Sequence, residues 1–458
     1  MIKKSLLIFL VFLLSISTFA STKVNSNTKS KKVVNLDVLS VMKDAYENNK
    51  DLKILNAHIE YSKRALESAY RKFGFNMDIA VSGYRENKPS FYFGKTIDER
   101  NFNMMGVDFN NPGVNGHYET TFSFGVPLYY RGLKKLTRKF AELDSEISSK
   151  KFDAAANKIV SSAISLYYNF RLALDGVALS KKDLERAKHQ YNDVKIRYDG
   201  GSVLKTDLLS MQVRVEESKL NLVKAKNGLA VIRSMLLNFI GLPEDTKIIP
   251  IDKKLNISML PKTYDEAIKL AFEQRNELKV ARLMLEQGKL GIKMAKNAKK
   301  PEIMLFGNWT YNDNNLTLSS KQDNYFLGAK VSLNILDNGV SAAETRVADS
   351  RYKEGLRKYE KAQKDIELDV RTAYENLSSA KEALKVSQAN LKSAKENLQL
   401  MKQYYQGGST TITAYLNTDT ALSGAELQEA SARYNLLSCE AELSRAVGYC
   451  ILCIRQSK

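Results

Sequence analysis

The sequence predicts a mainly α-helical protein that also carries a membrane β-barrel portion, and three observations predict it. Two long stretches, from Pro127 to Pro243 and from Pro301 onward, contain no proline and are rich in Ala, Leu, Lys and Glu. Such runs lack the breakers of globular domains and suit very long helices. Four short segments outside them alternate with strand periodicity. Finally, the chain is written twice, each copy giving a strand hairpin followed by a long helical hairpin.

The first element is an address. Lys3 and Lys4 precede an apolar run from Leu6 to Leu14, and Thr18-Phe19-Ala20 ends the polar stretch that follows. This is the pattern of a cleavable secretory signal over residues 1–20, with a mature start near Ser21. A membrane anchor or a buried helix is the alternative reading. No cysteine follows the cleavage site, so a lipid-anchored N-terminus is not expected. Elsewhere no apolar stretch is long enough for a transmembrane helix, so membrane insertion requires a closed barrel, the other fold that satisfies every backbone polar group in lipid.

The repeat is read by sliding the chain over itself. At one offset Ala45 lies over Ala271, Leu52 over Leu278 and Leu66 over Ile292. At a shorter one Tyr167 meets Tyr374, Asn169 meets Asn376, and Gly241 meets Gly448. The offsets differ by roughly 19 positions, so the first copy holds an insertion of that size between residues 80 and 130. The first repeat spans 21–242 and the second 263–458, with a linker at 243–262 marked by Pro243, Pro250 and Pro261. Each copy opens with a helix (37–70; 263–297) and continues with a strand pair (77–86 with 117–129; 303–312 with 324–335). A long helical hairpin closes each (133–240; 340–448).

The strand pairs carry the membrane expectation. Phe122, Phe124, Val126 and Leu128 alternate with Ser123, Gly125 and Pro127, and Tyr325, Leu327, Ala329, Val331, Leu333 and Ile335 with Gly328, Lys330, Ser332 and Asn334. Strands of about ten residues with one apolar face suit a barrel with lipid outside and water within. Trp309, Tyr84, Tyr311 and Tyr325 near strand ends fit interfacial aromatics. Ordinary soluble hairpins remain the other reading. Four strands cannot close a barrel, which needs about eight or more, so the chain must assemble. Three copies would supply twelve.

Composition excludes more than it assigns. The formal charge is +19, but Lys and Glu interleave along the helices, as on solvated faces, and no nucleic-acid partner is expected. Cys439, Cys450 and Cys453 form no disulfide framework. The three histidines, His58, His117 and His189, fall on unrelated elements, and no catalytic, cofactor-binding or metal-binding motif is present.

The turns between the long helices carry the sharpest motif. Tyr198-Asp199-Gly200-Gly201-Ser202 continues into Thr206-Asp207-Leu208-Leu209 and returns as Tyr405-Gln406-Gly407-Gly408-Ser409. Together with Leu333-Asn334-Ile335-Leu336-Asp337-Asn338-Gly339 and the strand-opening Pro301, these residues resemble the outer-membrane efflux protein family, the TolC-like ducts. That resemblance covers nearly the whole mature chain. It implies a homotrimer with a twelve-stranded barrel in outer-membrane lipid and a helical tunnel through the periplasm. Its far end would be an iris of helix tips docking to a periplasmic adaptor and an inner-membrane transporter. The expected function is a passive exit duct for efflux or type I secretion, with no catalysis. The alternative is a trimeric surface or adhesion protein with a helical stalk. The resemblance marks Tyr198, Gly200, Gly201, Ser202, Tyr405, Gly407, Gly408 and Ser409 as tip and adaptor-docking residues. Asp207 matches a family aperture carboxylate, and it could equally answer the helix macrodipole. Thr410, Ala414 and Asn417 stand where the family has charges.

Overall fold

The computed structural model describes residues 33–251, 260–313 and 322–449. The expected signal, residues 1–20, and both Cys450 and Cys453 lie outside them. In chain order the elements are β1 (Val33–Leu36), α1 (Val38–Asn48), α2 (Lys50–Arg71), β2 (Asn76–Glu86), α3 (Pro89–Asp98) and β3 (Asn115–Tyr130). Then come α4 (Leu133–Asp199), α5 (Lys205–Phe239), β4 (Lys247–Pro250), α6 (Tyr264–Gln274) and α7 (Asn276–Lys296). The chain continues with β5 (Glu302–Asp313), β6 (Asp323–Ser332), α8 (Val340–Gln406) and α9 (Ile412–Ala446).

Helices α4 and α8 have 67 residues each, which at 1.5 Å per residue makes rods of roughly 100 Å. Their returning partners α5 and α9 have 35 residues each and cover only the half nearer the turns. Along that half the packing order is α5–α4–α9–α8. Along the other half α2 packs on α4, and α7 packs on both α4 and α8. The chain is therefore a layer of four helices in each half, with a belt where α5 and α9 end.

The belt holds the two larger cores. One gathers Leu36, Val41, Met42, Ile164, Tyr167 and Ile240 around α1, α4 and the end of α5. The other gathers Ala267, Leu278, Ile366, Val370, Leu443 and Val447 around α6, α8 and the end of α9. Strand β1, ahead of the first helix, pairs in parallel with β4, which lies inside the expected linker; alternation over four residues is too short to announce either. The Tyr167 hydroxyl donates to the carbonyls of Leu36 and Ile251 at 3.3 and 3.2 Å, fastening this sheet to α4.

The structure corrects the single helices expected over 37–70 and 263–297. Each is broken once, at Asn49 (φ −58°, ψ 132°) and at Arg275 (φ −59°, ψ 121°). No proline or glycine marks either break, and the apolar spacing runs through both, so the sequence hides them. The cause is tertiary. Asn49 Nδ2 donates to the Phe239 carbonyl at 3.2 Å, and Arg275 Nη1 to the Ala446 carbonyl at 3.1 Å. Each break residue thus satisfies a C-terminal carbonyl that the returning helix leaves open. Beside them Gly241 (φ 72°) and Gly448 (φ 88°) sit so close to Asn48 and Gln274 that an added Cβ would meet side-chain carbon at 2.9 and 3.0 Å.

The four longer strands form one antiparallel sheet in the order β2-β3-β5-β6. Its register aligns Ile79, Phe122, Trp309 and Tyr325 across the sheet, and Met77, Phe124, Gly307 and Leu327 beside them. The opposite face aligns Asp78, Ser123, Asn308 and Phe326, then Ala80, Thr121, Thr310 and Asn324. Met304 and Phe306 share this second face, which is why β5 reads as a poor alternator. Strand β6 ends at Ser332, three residues short of the expected 335, because its partner β5 begins at Glu302 directly after Pro301 and offers nothing further to pair. The stretch between the first two expected strands, where the insertion falls, also contains a helix, α3, with Pro89 in its first turn.

Candidate functional site: the paired helix tips

Both long hairpins reverse through the same capping geometry. Ser202 N donates to the Arg197 carbonyl at 2.8 Å and Gly201 N to the Tyr198 carbonyl at 2.9 Å. In the second hairpin Ser409 N donates to the Tyr404 carbonyl at 2.8 Å and Gly408 N to the Tyr405 carbonyl at 3.3 Å. This is the Schellman arrangement, which needs one left-handed residue. Gly201 and Gly408, both at φ 76°, supply it. The preceding Gly200 and Gly407 lie at φ −82°. Only the second glycine of each pair is therefore bound to be glycine by its φ, although the sequence marks both.

The tips differ beyond the turn. Leu204 precedes α5 with no side-chain cap, and Asp207 is the acidic residue of the first turn. In the second tip Thr411 Oγ1 accepts from Ala414 N at 3.3 Å and caps α9. A small core of Val194, Met211, Ile412 and Tyr415 joins the two hairpins. Tyr405 stacks on Tyr415 at 5.5 Å with the rings 4° from parallel, and the Arg197 guanidinium lies 5.6 Å from the Tyr405 ring centre. Burial pushes the Tyr405 phenol above its ordinary pKa, and the Asp207 charge adds to the rise against Arg197. Arg197 and Tyr405 therefore meet across the hairpins, and the Asp207 charge is near enough to act on the phenol. The sequence pointed to Asp207 and Tyr405. Arg197 lies just before the turn, outside the positions that the resemblance marks.

A second cluster, also unread in the sequence, lies on the belt side of the tips. Arg214 of α5 is 6% exposed and reaches Asp183 of α4 at 2.7 Å and Asp419 of α9 at 3.0 Å through Nη2. Arg186 reaches Asp419, Glu426 and Ser423 at 3.2, 3.3 and 2.6 Å. Ser218 and Ser423 donate to the Asp183 carboxylate at 2.8 and 2.5 Å. Burial would raise the Asp183 pKa, but the Ser423 and Ser218 hydrogen bonds and the two arginines outweigh it and hold it below the ordinary carboxylate value. Arg214 is held charged in the same way, the Asp419 and Asp183 contacts exceeding its burial cost. The residues come from distant parts of the chain, so only the fold shows that they meet. They tie the two hairpins together, and the contacts that keep Asp183 ionised make its carboxylate a poor base for the serines beside it. No group of carboxylate, His and Cys side chains suited to a metal occurs among the described residues.

Residues 267–449 match the family described as Outer membrane efflux protein. The TolC outer-membrane protein of Vibrio cholerae is 23% identical over 71% of this chain and 75% of its own length. The alkaline protease secretion protein AprF of Pseudomonas aeruginosa is 19% identical over 73% of this chain and 70% of its own. The CmeC outer-membrane channel of Campylobacter jejuni superposes with a TM-score of 0.78 at 18% identity, covering 90% of this chain and 85% of that one. The fold is thus that of a TolC-type channel protomer, and the family match over the second half together with these relatives makes the chain TolC-like. These relatives are channel proteins rather than enzymes, and so is this chain.

Proposed function

We propose that three copies of this chain form a passive exit duct, with a twelve-stranded barrel in the outer membrane continuing into a helical tunnel through the periplasm. One observation carries the reading: the sheet is inside out. Its apolar face is the bare one, with Met77, Ile79, Val81, Tyr325, Leu327 and Val331 exposed. Its polar face is the one that another element, α3, covers. A soluble sheet does the reverse, whereas a membrane barrel is built this way. A surface stalk gives no reason for such a sheet, and that alternative is not favoured.

The edges support ring closure. The sheet ends in β2 on one side and β6 on the other, and the helical layer ends in α5 and α8 in the half nearer the tips. Leu209, Val213, Leu220 and Val231 stand exposed on α5, and Leu368, Val386, Leu400 and Tyr404 on α8. A head-to-tail ring would pair β6 with the next β2 and cover both stripes, leaving no edge. On this reading 21–242 and 263–458 are matched units joined at 243–262, and residues 1–20 direct export.

The tips around Gly201 and Gly408 would form the periplasmic aperture and the docking ground for an adaptor, which links the duct to an energised inner-membrane transporter. Asp207 would contribute one carboxylate per copy to that aperture, with Arg197 and Tyr405 as its partners. Imaging of the mature protein extracted from outer membranes tests the core of this. Three-fold particles with a short barrel and a hollow tube of roughly 100 Å are expected from the helix rise. Compact monomers in the soluble fraction would end both barrel and tunnel.

A further inference from the structure

The insertion that distinguishes the first copy from the second is folded across the polar face of the sheet, at the strand ends away from the helices. Lys95 of α3 is buried, with Nζ 2.6 Å from Glu119 Oε2 and 2.8 Å from Asn312 Oδ1. Glu99 Oε1 lies 2.8 Å from His117 Nδ1, and both side chains are almost fully buried. On the far side Arg100 Nη2 donates to the Asp323 carbonyl, and Asn324 Nδ2 to that of Asp98, both at 3.0 Å. The segment thus reaches β3, β5 and β6, while Phe91 packs on Tyr84 of β2. These are ties to every strand of the sheet, more than a loose external loop would make.

Helical spacing then fixes what faces away from the sheet. Positions 91, 95 and 99 form one stripe, so 93 and 97 point oppositely. Phe93, Ile97 and Phe102 are exposed, and Met104 and Met105 are 78% and 87% exposed. Phe93, Phe102 and Phe109 cluster with ring centres 5.3 to 5.5 Å apart, two pairs edge to face and one stacked. A large apolar surface therefore stands on the side where a lumen would hold water.

We infer that this surface packs against its own copies, so that three segments spanning 89–109 meet on the axis and stop the outer mouth of the duct. The inference rests on the trimeric barrel proposed above. Twelve strands about 4.8 Å apart and tilted by about 40° enclose a bore roughly 24 Å across at the backbone. A helix with its side chains is about 10 Å wide. Three such helices laid against the inner wall take up most of that bore, and their inward residues come within contact of one another. The occupant that suits an apolar surface enclosed in a polar lumen is the same surface on the neighbouring copies. Cargo leaving the cell would have to displace this plug, which makes the outer end a second barrier, independent of the tips.

The test uses the full-length protein in the outer membrane of intact cells, with Cys439, Cys450 and Cys453 replaced by serine. Ser123→Cys is introduced on the polar face beneath the plug and exposed to membrane-impermeant maleimides added outside. The bulky polyethylene-glycol reagent is expected to be excluded. Replacing 88–113 by a short Gly-Ser turn, or releasing the helix with Lys95→Met and Glu99→Gln at full length, should admit it. Because labelling scales with the open fraction, the small reagent should react about tenfold faster or more. In the same background Met105→Cys alone should give disulfide-linked dimers on mild oxidation. Trimers whose Ser123→Cys takes the bulky reagent equally with and without the segment, or whose Met105→Cys never pairs, would overturn the plug and leave the duct standing. Protein that forms no membrane-embedded trimer would instead overturn the duct.

Discussion

The two hairpins of this chain are joined at the belt and again toward the tips, and the two joints are made of different materials. At the belt, α1 and α6 bury apolar side chains against α4 and α8, and α7 spans the two long rods. Toward the tips α5 and α9 barely touch. The joint there is a four-residue apolar core and the charged cluster of Asp183, Arg186, Arg214, Asp419 and Glu426. Apolar burial is non-directional and tolerates small displacements. A buried ionic cluster holds one geometry and fails when one member is lost. The joint expected to move is thus the one built to hold or let go as a unit.

The largest effect should come from breaking that unit. Arg214→Met leaves Asp183 and Asp419 only Arg186 of the two cations they share, and removing one partner of a buried pair costs up to about 3–5 kcal/mol. Hydrogen exchange should accelerate in α9 around residues 418–426 and stay unchanged in α6 and the belt end of α8. In bilayers the mutant trimer should conduct more than the parent. Equal acceleration at the belt would abolish the distinction between the joints.

The belt is challenged by Gly448→Ala, which places a Cβ in left-handed backbone and 3.0 Å from Gln274. Strain of this kind costs about 1–3 kcal/mol. The expected outcome is a lower melting temperature for the helical signal as a whole, with tip exchange unaffected at low temperature. A normal melt would mean that the belt can absorb the displacement.

Acid separates the joints more gently. Asp183 is held below the ordinary carboxylate pKa, so the stability it contributes is fully present above about pH 3.9 and is lost as pH falls through its depressed value. Asp369 at the belt is depressed likewise, its burial outweighed by Arg445 and Arg275, but it leans on an apolar core that does not titrate. Acidification below about pH 4 should therefore loosen α9 near the tips before it loosens the belt, as read by exchange at stepped pH. Simultaneous loss would show that ionic contacts carry the belt too.

What the sequence disclosed follows the range of each interaction. The 67-residue helices are legible because proline is absent, and the strands because alternation is local. Pairing Gly241 with Gly448 rests on the repeat alone, and the structure gives both the same task against α1 and α6. The breaks at Asn49 and Arg275 stayed hidden because their cause is a carbonyl 190 or 171 residues away. The Arg214 cluster stayed hidden for the same reason, its members reading as solvated charges on three separate helices. Helix α3 was lost in a stretch whose polar composition reads as loop, although its inward residue Lys95 is what ties it to the sheet.

The smallest effect should fall on the most conspicuous tip residue. Tyr405 stacks on Tyr415 and receives Arg197 on its face, and its hydroxyl is buried with no hydrogen-bond partner. Tyr405→Phe keeps the ring and removes an unsatisfied polar atom, a change that is nearly neutral or slightly stabilising, within about 1 kcal/mol. Tyr405→Ala instead removes the stack and the cation's platform. If the hydroxyl matters only through burial, the Phe variant should match the parent in exchange and conductance, and only the Ala variant should loosen the tip. A Phe variant that opens the channel would instead mean that the phenol bonds across to another copy, which would make the tip joint intermolecular as well as internal.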